Sequence, residues 1–224
     1  MVFINPAVEN NQFVKAGTLL LERDPRDYQA ELASALEAVN ARSALAPTIC
    51  RSDLYANTNE LRDGEGKVVS SALDMSSGNT NPDGLASFFD RASSDMAADQ
   101  ELKSFQLIAF KSCYSAAAIN SDDQLDRYRA DYDGSIGSYI RENPQIRFLV
   151  ISPPPRRPIL TSKAAALRAR DFSVWLADFC NTYPNAYYYD LFSLLSDVSG
   201  RLGRRYRRLT PYDQHPNADG AKLG

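Results

Sequence analysis

A chain of 224 residues is long enough for one or two domains with a sizeable buried core. With 44% hydrophobic, 24% charged and 10% aromatic residues, its composition excludes a disordered or fibrous protein. A net charge of -3 gives no general electrostatic argument for nucleic acid or for an anionic membrane surface, so neither is expected as a partner.

In chain order, Thr18-Leu19-Leu20-Leu21-Glu22 is an apolar run of strand length after Gly17. Asp24-Pro25 then opens a helix, with Asp as N-cap and Pro in its first position. Tyr28, Leu32, Leu36 and Val39 form its apolar stripe, and it should stop before Pro47. Residues 48 to 84 are rich in Asn, Gly and Pro, and only Lys67-Val68-Val69-Ser70 reads as a strand there. This composition shift divides the chain into a segment 1–47 and a domain 48–224.

From Leu85 a strand–helix rhythm sets in. Leu85 to Lys103 reads as helical, and Gln106 to Phe110 as a continuous apolar strand of the kind found where both sheet faces are covered. Ser121 with Gln124 makes a capping box for a helix whose Leu125, Tyr128, Tyr132, Ile136 and Tyr139 share one face, ending at Pro144. Ile146 to Ser152 is a second buried strand, stopped by Pro153-Pro154-Pro155. Ser162 starts a helix with Leu167, Trp175, Leu176 and Phe179 as expected core contacts. Asn185 to Leu191 is a third strand, and Asn217 begins a last helix. The alternation predicts an α/β fold with a mainly parallel sheet, preceded by a short strand–helix segment.

No apolar run approaches the roughly 18 residues that a membrane span needs, and Glu9 to Gln12 interrupt any signal-peptide core. Cys50, Cys113 and Cys180 are far apart, odd in number and without metal-type spacing. Neither a disulfide framework nor a metal site is expected, although pairing of Cys113 with Cys50 or Cys180 stays open. Nothing points to a cofactor. The run Arg201, Arg204, Arg205, Arg207 and Arg208 reads first as solvated surface, with contact to nucleic acid or an anionic substrate as the weaker alternative.

His215 is the chain's one histidine, in the polar stretch Asp213-Gln214-His215-Pro216-Asn217-Ala218-Asp219-Gly220 ahead of a helix. Lone histidines are most often structural or exposed. A helix-entry loop after the last strand, however, sits where the functional crevice of an open α/β sheet lies, beyond the carboxyl ends of the strands.

The block His215-Pro216-Asn217-Ala218-Asp219-Gly220-Ala221-Lys222-Leu223 resembles the last block of the SGNH (GDSL-type) hydrolases. Ile108 to Tyr114, Phe148 to Pro155, and Ala169 to Phe172 with Trp175-Leu176 are similar to a bacterial subgroup of that superfamily, so the resemblance covers residues 75 to 224. It implies a flavodoxin-like three-layer fold, hydrolysis of an ester or acetylated carbohydrate by a serine nucleophile, and a periplasmic or secreted location. It also implies that His215 is the general base. The Gly-Asp-Ser block and the Gly-x-Asn-Asp block are absent, and the family's orienting aspartate would fall on Tyr212. Asp213, two residues before His215, is then the candidate orienter. Ser112, directly after the first buried strand, is the candidate nucleophile, with Cys113 beside it at the substrate. Gly78 and Asn79 could supply an oxyanion-hole amide and side-chain donor, or simply a turn.

Residues 3 to 46, through Val8 to Leu20 and Asp24 to Ala30, resemble HlyD/EmrA-type periplasmic adaptor proteins of efflux systems. In those proteins this stretch is half of a lipoyl-like β-domain followed by a coiled-coil helix. The combination suggests a composite chain in which Thr18–Glu22 and the helix after it stand in for a missing first strand–helix unit of the parallel sheet. Three function classes follow: an SGNH-type esterase, a non-catalytic fragment of that lineage, and an efflux adaptor component.

Overall fold

The structure, a computed structural model, describes residues 2–4, 21–23, 51–52, 61–62, 67–70, 81–210 and 212–221. Contacts divide the chain into two units, Met1–Pro47 and Thr48–Gly224. In the first unit, β1 (Val2–Ile4) and β2 (Leu21–Arg23) pair antiparallel, with Val2 opposite Arg23 and Ile4 opposite Leu21. This corrects the idea that the Thr18–Glu22 run replaces a strand of the parallel sheet. Leu21 and Glu22 satisfy their ladder with an upstream partner, in a separate two-stranded sheet. The helix expected from Asp24 lies outside the described residues.

In the second unit β3 (Arg51–Ser52), β4 (Leu61–Arg62) and β5 (Val68–Ser70) form a small antiparallel sheet. Only β5 was legible in the sequence, because two-residue strands carry no alternation to read.

A second three-stranded sheet of this unit is parallel, in the order β6 (Leu107–Lys111), β7 (Arg147–Ile151), β8 (Ala186–Tyr189). The fold is α/β. One sheet face carries Ile108, Phe110, Phe148, Val150 and Tyr188 into the main core. Helices α1 (Pro82–Ser94), α2 (Met96–Lys103), α3 (Asp122–Asp131), α4 (Gly137–Glu142) and α5 (Lys163–Asn181) bring residues to the same cluster. Aromatic rings fill it: Phe89 meets Phe110 edge-on with centroids 5.1 Å apart, and Tyr132 meets Phe172 at 5.7 Å and Phe179 at 5.5 Å. The opposite face has a smaller cluster, in which Ile151 and Tyr189 pack on Leu191 and Leu195 of α6 (Leu191–Leu195) and on Leu202.

Four sequence expectations are adjusted. The helical stretch expected from Leu85 to Lys103 breaks at Asp95, whose extended backbone lets its carboxylate accept Ala97 N at 2.9 Å and cap α2. The β6 run was expected to be covered on both faces, yet Ala109 is exposed among the described residues. Leu167 faces solvent; Ala165, Ala166, Ala169 and Phe172 point inward in its place. Leu191, expected to end the third strand, starts α6, because the Asp190 carboxylate accepts Ser193 N at 3.0 Å and turns the chain.

The capping box forms as read at Ser121, whose hydroxyl accepts Gln124 N at 3.2 Å, while Gln124 reaches back to Asn120 N at 2.8 Å. Between α3 and α4, residues Tyr132–Ile136 form a π-helical turn. Both Tyr132 and Ile136, at its two ends, are fully buried.

Gly200 closes the turn between the bridged residues Ser196 and Leu202, at φ 74°. A Cβ there would stand 2.8 Å from the Ala166 carbonyl oxygen. Gly200→Ala should therefore lower stability by about 1–3 kcal/mol, from left-handed strain plus this clash. Urea denaturation measures it; an unchanged midpoint would contradict the close approach.

Candidate active site

At the carboxyl end of β6 the chain enters a short 3-10 turn, Tyr114–Ala117. At the same end of β7, Ser152 is followed by the buried Pro153, Pro154 and Pro155, and then by Arg156 and Arg157. The last part of the chain comes to these tips as a loop pinned by its own backbone. Arg207 bridges Pro216, and Asn217 N donates to Tyr206 O at 2.8 Å. The Asn217 side chain does two further jobs. Its Nδ2 donates to Arg205 O at 2.7 Å, while its Oδ1 accepts Asp219 N and Gly220 N, both at 3.1 Å, and so caps the short helix α7 (Ala218–Ala221). Gly220 has no room for a side chain, because a Cβ would lie 2.7 Å from Pro216 Cβ. The Asn-Ala-Asp-Gly portion of the block is thus a clamp that fixes where His215 stands.

The imidazole of His215 is half-exposed, at 54% of its side-chain surface. Its Nδ1 lies 2.8 Å from Asp213 Oδ1, and the same oxygen accepts the His215 backbone N–H at 3.0 Å. The carboxylate therefore holds the residue at two points. The hydrogen bonds from His215, backbone first and ring second, keep the Asp213 carboxyl below the usual carboxylate range, helped by Arg208 Nη1 at 3.2 Å. With Nδ1 facing Asp213, Nε2 is left to act as a base. Tyr114 stands edge-on to the imidazole, with ring centroids 5.4 Å apart. This contact brings His215 to the carboxyl tip of β6.

The structure thus brings together Asp213, His215 and the turn that begins at Cys113. It does not bring Ser112 to them. Ser112 has the strand parity of Ile108 and Phe110, so its side chain enters the main core; it is fully buried, and its hydroxyl makes no hydrogen bond. Its neighbour there is Tyr132, whose phenol burial pushes well above the ordinary value, with the Ser112 hydroxyl opposing that shift. The two hydroxyls sense each other without reaching hydrogen-bond geometry. The candidate nucleophile thus stands on the core face of β6, with its hydroxyl buried. Cys113 is half-buried beside Tyr114, and Gly78 and Asn79 lie outside the described residues. Nearby, Asn81 accepts from the Ser115 hydroxyl at 3.3 Å.

The arginine run is largely taken up by the loop itself. Arg207 donates to Leu202 O at 2.8 Å and pairs with Asp197 at 3.5 Å, and Arg208 donates to Pro216 O at 3.0 Å as well as to Asp213. Arg204 and Arg205 are exposed. Two residues at this edge escaped the sequence reading, Tyr114 and Arg156. Arg156 Nε donates to Gln214 Oε1 at 2.8 Å, inside the Asp213–His215 loop. Only their position after strands β6 and β7 could have signalled them. Among the described residues no group of three or more His, Cys, Asp or Glu side chains converges to hold a metal, and no helix is long and apolar enough to cross a membrane.

No protein-family model and no curated protein matches this chain. Among solved structures, one named for platelet activating factor, from Streptococcus pneumonia, is similar at 15% identity and a TM-score of 0.40. The match covers 53% of this chain and 55% of that one, so the chain spans about half of its length. A likeness of this size carries no statement about chemistry.

Proposed function

We propose that the Thr48–Gly224 unit is an ester hydrolase of SGNH-like lineage, acting on a small-molecule or carbohydrate ester, with His215 as general base and Asp213 as its positioning residue. The observation that carries this reading is the Asp213–His215 pair, 2.8 Å apart and held over the strand tips against Tyr114. Nε2 takes a proton from a water molecule as the water oxygen bonds to the acyl carbon. The resulting imidazolium returns that proton to the departing alkoxide as the ester bond breaks. Ser112 has no part in these steps.

The test compares 4-nitrophenyl acetate hydrolysis by the full chain with that by His215→Ala and Ser112→Ala. The expected result is loss of activity down to background in the first variant and a rate within about twofold of the parent in the second, as general base catalysis contributes roughly 100- to 10,000-fold. Equal rates for the parent and His215→Ala would leave the non-catalytic reading of this unit in place.

A further inference from the structure

Arg156 is a half-buried cation at this edge whose side chain has one hydrogen bond and no ion pair among the described residues. Its carbonyl accepts Leu202 N at 2.8 Å, which fixes its backbone, and its Nε bond to Gln214 fixes the plane of its guanidinium. That bond uses one of five N–H donors. The neighbouring arginines are occupied: Arg157 donates to the carbonyls of Thr210 and Asp213, and Arg208 to Pro216 O and the Asp213 carboxylate. Asp213, the carboxylate of this loop, is itself committed to His215 and Arg208. No carboxylate among the described residues pairs with Arg156.

A half-buried cation without a counter-ion is costly, and here burial draws the Arg156 guanidinium below its ordinary value. The Tyr114 ring meets the His215 imidazole edge-on. Phenol and imidazole thus meet at the strand tips, and the Arg156 guanidinium is tied to Gln214, the residue before His215. The terminal amines of an oriented guanidinium match a planar carboxylate bidentately.

We infer that Arg156 is a substrate-recognition residue for a carboxylate, so that the ester taken by this site carries a carboxylate group near its scissile bond. The word substrate rests on the hydrolase reading above; the carboxylate site itself does not.

Isothermal titration calorimetry with succinate as probe, and with dimethyl succinate as neutral control, tests the site directly. The full chain and His215→Ala are expected to bind succinate and to ignore the diester. Arg156→Gln should weaken succinate binding about 10- to 100-fold, the usual worth of hydrogen bonds to a charged group, with Arg156→Lys in between. Equal succinate binding by Arg156→Gln and the parent would overturn the inference, as would a parent that binds both probes alike or neither. If Arg156→Gln does not fold, the Lys variant and the two probes decide in the same way. Esterase activity without succinate binding would sink this inference and leave the base assignment intact. Succinate binding without esterase activity would do the reverse.

Discussion

Replacing Asp213 by Asn is expected to cut ester hydrolysis by about 100- to 10,000-fold while the fold stays intact. The reason lies in what one oxygen does. Asp213 Oδ1 accepts both the backbone N–H and the ring Nδ1 of His215, and this double hold sets both the tautomer and the angle of the imidazole. An asparagine can keep the backbone bond, but its amide can present N–H to Nδ1 and trap the ring with its proton on the wrong nitrogen. Arg208 also loses its ion partner. Because Asp213 is partly exposed and lies in a loop, thermal stability should change little. A rate equal to the parent's would show that the carboxylate only caps the turn. The pH dependence has a definite sign. The native carboxyl titrates below its unfolded value of about 3.9, so its contribution is complete above that pH and is lost as the pH falls through the lower native value. Following the Asp213 carboxyl carbon and the His215 ring signals by NMR on acidification checks this. Release of the ring in the same pH step is the expected outcome.

How much of this could be read from the sequence depends on how locally each feature is encoded. The runs that became β6, β7 and β8 were visible because a parallel strand is a short apolar string with a stop after it, and Pro153 to Pro155 supply such a stop. The position of His215 was visible because Pro216, Asn217 and Gly220 have local backbone jobs, now seen as a bridge, a cap and a close approach. Ser112 lies on the core face for a reason that was also present in the sequence. Its even spacing from Ile108 and Phe110 puts it on the core face, so parity outranked its place at the strand end. Arg156 could not have been found, because its importance rests on contacts with Gln214 and Leu202, 58 and 46 residues further along. The break at Asp95 shows the converse limit. Ser93, Ser94 and Asp95 are weak helix formers, but only the capping geometry decided that the chain would pause there.

The largest stability effect is expected at Asn185, away from the chemistry. Its Nδ2 donates to three backbone carbonyls, of Ile140 at 3.0 Å, Asn143 at 3.1 Å and Ile146 at 3.0 Å, and the residue is buried. Those acceptors belong to the end of α4 and to the turn into β7, while Asn185 O accepts Phe148 N at 2.8 Å. One amide group thus ties the helix end, the central strand and the approach to β8 together where the sheet begins. Asn185→Ala removes two N–H donors shared by three acceptors, and should lower stability by about 2–5 kcal/mol. Asn185→Asp keeps the shape but aims carboxylate oxygens at three carbonyls, so at neutral pH it should be worse than Ala. A carboxyl placed there has its native value raised above the unfolded one. Its penalty therefore grows as pH rises past about 4 and shrinks on acidification, when the protonated group can again donate one hydrogen bond. Urea denaturation of both variants at pH 5 and pH 7 separates these cases. An Asp variant as stable as the parent at pH 7 would mean that the three carbonyls find other donors, and that the amide is not what binds this corner of the sheet.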